Sequence, residues 1–193
     1  MRRSDRIARL KRDPVGKEFM PPTALAALAP HFFQVAYVTP DLAAGEAWFQ
    51  KLLGVSSFFR MENVTFGPEC SFRGCPADSE AHLSLGWLGE TQVELIEPVR
   101  GDSLYAEFLA DHGPGLHHVA FEVPDFEATV SGLSENGLEL VMKGAQGPGS
   151  QFAYFETAAA GASVVEILGF DDAMRGFMKQ LKEQSRAAEP RRS

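Results

Sequence analysis

Two stretches of this chain carry one pattern of apolar and polar positions. Residues 33–38, Phe33-Gln34-Val35-Ala36-Tyr37-Val38, are rich in aromatic and β-branched side chains in the way a strand is, and Thr39-Pro40-Asp41 ends the run. Proline stops a strand, and the aspartate after it can cap the first turn of a helix. His117-His118-Val119-Ala120-Phe121-Glu122-Val123-Pro124-Asp125 repeats the pattern 84 residues later. Val35/Val119, Ala36/Ala120, Pro40/Pro124, Asp41/Asp125 and Ala44/Ala128 correspond at that offset, and Val38 meets Val123 one place away.

The residues after each Pro-Asp predict helices over 42–53 and 126–136. Leu42, Ala43, Trp48, Phe49, Leu52 and Leu53 give the first an apolar stripe at helical spacing, and Gly54 and Gly137 supply left-handed stops. Strand-like runs follow at 57–60, 81–87 and 91–98 in the first half, and at 139–142, 151–156 and 162–168 in the second. Each half thus reads strand, helix, three strands, and a repeat organises the chain more firmly than any single window. The predicted fold class is α+β, with paired βαβββ modules over residues 31–100 and 116–169. A linker helix, with Ser103 near its start, is expected within 101–115. Residues 65–80, with Gly67, Pro68, Gly74 and Pro76, predict a long loop lying over another part of the molecule. Residues 170–193 predict a helix carrying Met174, Phe177, Met178 and Leu181, then a polar tail.

Charge separates the N-terminus from this body. Residues 1–19 hold seven basic side chains (Arg2, Arg3, Arg6, Arg9, Lys11, Arg12 and Lys17) against Asp5, Asp13 and Glu18, so the remainder carries −12 of a formal total of −8. Residues 1–30 are therefore expected as a flexible basic extension, and Met20 before Pro-Pro offers a second possible start. An acidic body argues against nucleic acid as the main partner. No apolar run approaches the length of a membrane span, and no hydrophobic core follows the charged N-terminus as in a secretory signal. Cys70 and Cys75 share one polar loop and fit reduced thiols better than a disulfide framework or a structural zinc site. A cytoplasmic location is the expectation, with a small molecule as the partner, neither membrane nor nucleic acid, and a homodimer as a possible assembly.

The twofold βαβββ repeat resembles the vicinal oxygen chelate superfamily over residues 32–168. The likeness is to methylmalonyl-CoA epimerase above all in Thr91-Gln92-Val93-Glu94-Leu95-Ile96-Glu97-Pro98, in Asp102-Ser103, in Phe108-Leu109 and in residues 115–123. Gly161-Ala162-Ser163-Val164-Val165-Glu166-Ile167-Leu168 is similar to the family's last metal-bearing strand. The resemblance implies a cup-shaped mixed sheet with helices outside. It also implies one divalent metal (zinc, cobalt, nickel or manganese) on Gln34, Glu94, His118 and Glu166, near the start of the first strand and on the last strand of each module.

The residues themselves speak for the same four positions. Glu94 and Glu166 sit inside apolar strands, where a carboxylate is costly unless paired or metal-bound. Alternation places Gln34 with Ala36 and Val38 on one face, and Phe33, Val35 and Tyr37 on the other. Small Ala36 and Ala120 leave room beside the polar groups. Taken singly, each glutamate could lie on a solvated face and His118 could be a satisfied core histidine. The repeat joins them, because Gln34 aligns with His118 and Glu94 with Glu166. His117 is expected on the opposite face from His118, Glu122 at the cavity rim, and His82 and Ser84 as pocket liners.

The resemblance implies proton transfer next to a carbonyl, with Glu166 as base and Glu94 as ligand and partner acid. That is an isomerase, epimerase or glyoxalase-like lyase, with an acyl-CoA thioester among the candidate substrates. Glutathione is disfavoured, because Val38 and Pro98 stand where glyoxalase I enzymes of this ligand set carry an arginine and an asparagine. Two alternatives remain open at this point: a metal-free binding protein of the same fold, and an extradiol-type dioxygenase, against which Gln34 in place of histidine counts.

Overall fold

The computed structural model of the protein describes residues 23–157 and 164–188. The basic segment 1–19, Met20 and the polar end lie outside the described residues, as do Gly161, Ala162 and Ser163. A short helix, α1 (Thr23–Ala26), and a 3-10 turn (Ala29–His31) lead into β1 (Phe32–Val38). Helix α2 (Leu42–Trp48) runs on through a π-helical turn (Phe49–Leu53), which Gly54 closes at φ 76°. Strands β2 (Phe58–Thr65), β3 (Ser71–Phe72), β4 (Cys75–Pro76), β5 (Glu80–Leu88) and β6 (Thr91–Arg100) follow. Helix α3 (Leu104–His112) connects to β7 (Gly115–Glu122), α4 (Phe126–Glu135), β8 (Glu139–Ala145), β9 (Ser150–Glu156), β10 (Val164–Phe170) and α5 (Asp172–Ala187). The caps fall where the repeat puts them. Asp41 accepts from the Ala44 N–H at 2.9 Å, Asp125 from the Ala128 N–H at 3.0 Å, and Ser103 from the Ala106 N–H at 3.2 Å.

Ten strands form one curled, cup-shaped mixed sheet in the order β2-β5-β6-β1-β7-β10-β9-β8-β3-β4. β1 and β7 pair antiparallel at the centre and join the two modules, while β1 is parallel to β6 and β7 to β10. Period-two alternation sorts the side chains. On the convex side, Val93 and Leu95 pack with Leu42 and Phe49 under α2, and Ala153, Phe155 and Ile167 pack with Phe126, Val130 and Leu133 under α4. Leu28 joins the α4 cluster, so the expected extension is docked at its end. The concave side holds a core common to both modules, including Ala36, Ile96, Ala120, Leu168, Phe66, Tyr105, Phe152 and Tyr154. Burying a large apolar side chain contributes about 1.5–3 kcal/mol, so any polar group kept in this interior needs a separate physical reason.

Two segments complete the cup. Within the expected loop 65–80, β3 and β4 form a hairpin that pairs with β8, Ser71 opposite Lys143 and Phe72 opposite Met142. The Phe66 carbonyl accepts from the Ala145 N–H at 3.2 Å, and the Phe66 ring packs on Tyr105 and Phe152. A piece of the first half therefore extends the sheet of the second. Cys70 is buried in this stretch and Cys75 exposed, both as free thiols.

Helix α5 covers the mouth of the cup. Met174 and Met178 pack on the concave core, and Leu181 closes on Leu85 and Trp87. At its far end the Ser56 hydroxyl donates to the Ser185 carbonyl at 2.6 Å, and Lys182 and Arg186 pair with Glu90. Glu122 stands at the rim as expected, 3.0 Å from Arg175 of α5. No helix among the described residues is long and apolar enough to cross a membrane.

Candidate metal centre

The four central strands bring four polar side chains toward one point in the cup: Gln34 from β1, Glu94 from β6, His118 from β7 and Glu166 from β10. Their exposures are 4, 3, 2 and 1 %, so none is solvated. His118 Nε2 lies 3.1 Å from Glu166 Oε2 and 3.8 Å from Glu94 Oε2. One donor atom from each of Glu94, His118 and Glu166 falls within 4.8 Å of the others. Among the described residues, three buried atoms here have no hydrogen-bond partner: Gln34 Oε1, His118 Nε2 and Glu166 Oε2. The 3.1 Å approach of His118 to Glu166 therefore lacks the geometry of a formed hydrogen bond. A shared proton or a cation resolves that contact.

Burial sets the protonation of the group. It pushes the Glu166 carboxyl up to about 8, against a hydrogen bond with Tyr154 that holds it down. Glu94 is raised well above the usual carboxylate range by burial and then by the charge of Glu166. Burial pushes His118 down to about 3, leaving a neutral imidazole. Two acidic groups that resist charging and a neutral ring are what a buried site looks like without a counter-ion. The donor set (two carboxylates, an imidazole and an amide oxygen) suits a borderline-hard divalent ion. The residues present fit such a group.

Several supporting residues escaped the sequence reading. Gln92 lies two residues before Glu94 and accepts at Oε1 from Gln34 Nε2 at 2.7 Å, which leaves the Gln34 oxygen facing inward. Gln92 Nε2 in turn lies 3.4 Å from the Met178 sulfur, tying the site to α5. Tyr154 is the cross-strand neighbour of Glu166, and its hydroxyl lies 2.9 Å from that of Tyr105 on α3. The signal was present for Gln92, which shares the Glu94 face by alternation. Nothing short-range marks Tyr105.

Two expectations about faces need correcting. His82 and Ser84 do not line the cup. The Ser84 hydroxyl donates to Glu46 of α2 on the convex side, and His82 Nδ1 accepts from the Asn63 N–H at 3.0 Å. Leu83, Leu85 and Trp87 take the concave positions. A uniformly apolar run reveals a strand but not which phase of its alternation points inward. His117 does not point to the convex side either. Ala36 pairs with His118 and Tyr37 with Leu116, so His117 is an extra residue in a β-bulge. The bulge turns its ring into the cup beside His118, with Nδ1 of each 2.8 Å apart. Phe33 is the matching extra residue on β1, and it too packs on the concave core.

The site is closed. A cleft of about 110 Å³ lies between α5 and β2–β5, and a wider one of about 520 Å³ lies between the start of α4 and the β8–β9 turn. Neither is lined by Gln34, Glu94, His118 or Glu166.

The chain belongs to the glyoxalase/bleomycin resistance protein/dioxygenase superfamily, whose sequence model matches residues 33–155. It is 26 % identical over 136 residues to the mitochondrial methylmalonyl-CoA epimerase of Bos taurus, covering 69 % of this chain and 70 % of that protein. It is 29 % identical over 114 residues to the ethylmalonyl-CoA/methylmalonyl-CoA epimerase of Cereibacter sphaeroides, covering 57 % and 73 %. The fold superposes on methylmalonyl-CoA epimerase of Mycobacterium tuberculosis with a TM-score of 0.56 at 20 % identity, over 76 % of this chain and 91 % of that one. A Streptomyces coelicolor methylmalonyl-CoA epimerase in complex with 2-nitronate-propionyl-CoA gives 0.57 at 19 % identity, over 74 % and 95 %.

Proposed function

We propose that the protein is a metal-dependent epimerase or isomerase that moves a proton beside a carbonyl. Its substrate class is an acyl-CoA thioester, and one divalent ion (zinc, cobalt, nickel or manganese) is held by Gln34, Glu94, His118 and Glu166. The observation carrying this reading is the convergence of three partnerless buried atoms, Gln34 Oε1, His118 Nε2 and Glu166 Oε2, with Glu94 alongside. An unsatisfied buried polar group costs about 1–3 kcal/mol, so three in an otherwise apolar interior speak for a bound group. The likeness to proteins named for methylmalonyl-CoA and ethylmalonyl-CoA supports the substrate class. A single histidine with two glutamates does not suit the two-histidine, one-carboxylate iron site of an extradiol dioxygenase.

When bound, the ion stabilises the negative charge that a carbonyl oxygen gains as the neighbouring C–H gives up its proton. The chain supplies the proton handling. Glu166 takes the α-proton, its carboxyl oriented by Tyr154. Glu94, on the neighbouring module, returns a proton to the opposite face of the planar intermediate. The covering helix and the apolar walls keep water from protonating that intermediate in place of Glu94.

Elemental mass spectrometry of purified and of reconstituted protein, with methylmalonyl-CoA in deuterated water, tests the proposal. About one equivalent of metal and metal-dependent uptake of deuterium at the substrate α-carbon are expected. Glu166→Gln should keep the fold and abolish the exchange. Exchange that survives this substitution removes Glu166 from its role, and failure to hold metal under any reconstitution overturns the reading.

A further inference from the structure

The bulge in β7 places an imidazole against the back of His118. His117 is almost fully buried, and its ring is packed edge-on by Tyr105 and Phe108 of α3 and by Tyr154, at centroid distances of 5.5, 5.1 and 6.3 Å. Its Nδ1 meets the Nδ1 of His118 at 2.8 Å, so one ring presents a proton there and the other a lone pair.

The surroundings decide which. The backbone carbonyl of Leu104, the first residue of α3, favours the protonated His117 ring. A carbonyl only accepts, so the His117 nitrogen left to meet it, Nε2, bears the proton. A neutral imidazole has one N–H. The His117 Nδ1 is therefore an acceptor, and His118 must place its own proton on Nδ1 to satisfy it. The Nε2 of His118 is then a bare lone pair, aimed at the two glutamates and without a partner among the described residues.

We infer that His117 is a positioning residue: through its Nδ1 it selects the His118 tautomer whose Nε2 is free to ligate, and it is itself anchored to the linker helix. The inference rests on the metal reading above. Its counterpart in the first module supports it. Phe33 holds the equivalent bulge position, and beside it Gln34 is oriented by Gln92 instead. An amide has no tautomers to choose between, so a hydrocarbon ring suffices at 33, whereas a hydrogen-bonding ring is needed at 117. Without the acceptor, His118 is free to carry its proton on Nε2 and donate it to Glu166, which blocks the ligand position.

Long-range proton–nitrogen NMR of the histidine rings in ¹⁵N-labelled, metal-free protein reads the tautomer directly. His118 is expected with its proton on Nδ1, and in His117→Phe it should move to Nε2. Zinc affinity, measured by competition with a chromophoric chelator, should fall about 10- to 100-fold in His117→Phe, the usual cost of losing a partner behind a ligating histidine. His117→Gln can accept from His118 and donate to the Leu104 carbonyl, and it should restore both the spectrum and most of the affinity. A parent protein with His118 protonated on Nε2, or a His117→Phe variant that binds zinc as tightly as the parent, overturns the inference. If His117→Phe does not fold, the parent spectrum and the glutamine variant still decide it. A parent that binds no zinc counts against the metal reading alone, because the tautomer remains measurable without metal.

Discussion

Ala36 and Ala120 hold the same place in the two modules. Ala36 stands in register with Glu94 on one side and His118 on the other, and Ala120 with Gln34 and Glu166. Both are fully buried. Each small side chain thus separates two of the four polar groups, and the space it leaves open lies between donor atoms.

Ala120→Leu should fill that space. Overpacking typically costs about 1–3 kcal/mol, so the variant is expected to fold with a lowered melting temperature. Metal content should drop well below one equivalent. Full retention of metal in a folded variant would show that the donors do not meet across Ala120.

The metal-free protein should lose stability as pH rises from about 6.5 to about 8. In that window the folded Glu166, raised to about 8, still holds a proton that the unfolded glutamate, at its ordinary 4.5, has released. The folded state therefore binds more protons, and stability falls with pH. Glu94, shifted in the same direction, adds to the slope. The slope is at most about 1.4 kcal/mol per pH unit for each proton. A bound divalent ion takes the place of these protons, so the loaded protein should show a flatter profile and an affinity that rises with pH. Melting curves of both forms across this range make the comparison. Two parallel profiles would contradict it.

Below that window the histidines act with the opposite sign. His117 and His118 are each pushed down to about 3, so the unfolded chain binds protons that the folded state refuses. Between about 4.5 and 6.5 they offset the two glutamates, so the metal-free protein should lose stability again as pH falls from about 4.5 toward 3. Replacing His117 by phenylalanine should shallow this acid limb, as titrated melting curves would show.

Tyr154→Phe removes the hydroxyl that meets both Glu166 and Tyr105. The buried Tyr105 hydroxyl then has lost that partner, at a cost of about 1–3 kcal/mol in urea denaturation. Tyr105→Phe should cost less, since Tyr154 keeps Glu166. The double variant should be destabilised by less than the sum, because one substitution removes the group the other leaves unpaired. Strict additivity would mean the two hydroxyls do not interact.

On the proposed function, α5 is the element that an acyl thioester would displace to reach the glutamates. Helix α5 carries Met174 and Met178 over the concave core and is fastened to the first module through Glu90 and Ser56. Limited proteolysis within residues 172–187 should accelerate when a saturating acyl-CoA is added. Cleavage that is indifferent to the ligand would place the entrance elsewhere.

The halves, their caps and the four inward polar positions could be read from the chain because each depends on neighbours a few residues away. Asp41 and Asp125 cap helices three residues on, and period-two alternation turns Glu94 and Glu166 inward with their strands. What escaped depends on partners far along the chain. The bulges at Phe33 and His117 exist only in the register of β1 against β7, so an unbroken alternation assigned both residues to the wrong side. The β3–β4 hairpin finds its place on β8, 70 residues away by the Phe72–Met142 pairing, with no local mark of that choice. Ser84 and His82 were misplaced for a related reason, since the convex position of Ser84 is fixed by Glu46 on α2.

The hairpin has a consequence for how the molecule could be divided. A chain cut between residues 100 and 104 would leave each fragment with part of its sheet on the other: the first would carry a hairpin with no strand to dock on, and the second an open edge at β8. The repeat thus records a doubling that no longer comes apart into two self-sufficient pieces. Mixed together, the fragments would re-form the cup as partners that each complete the other.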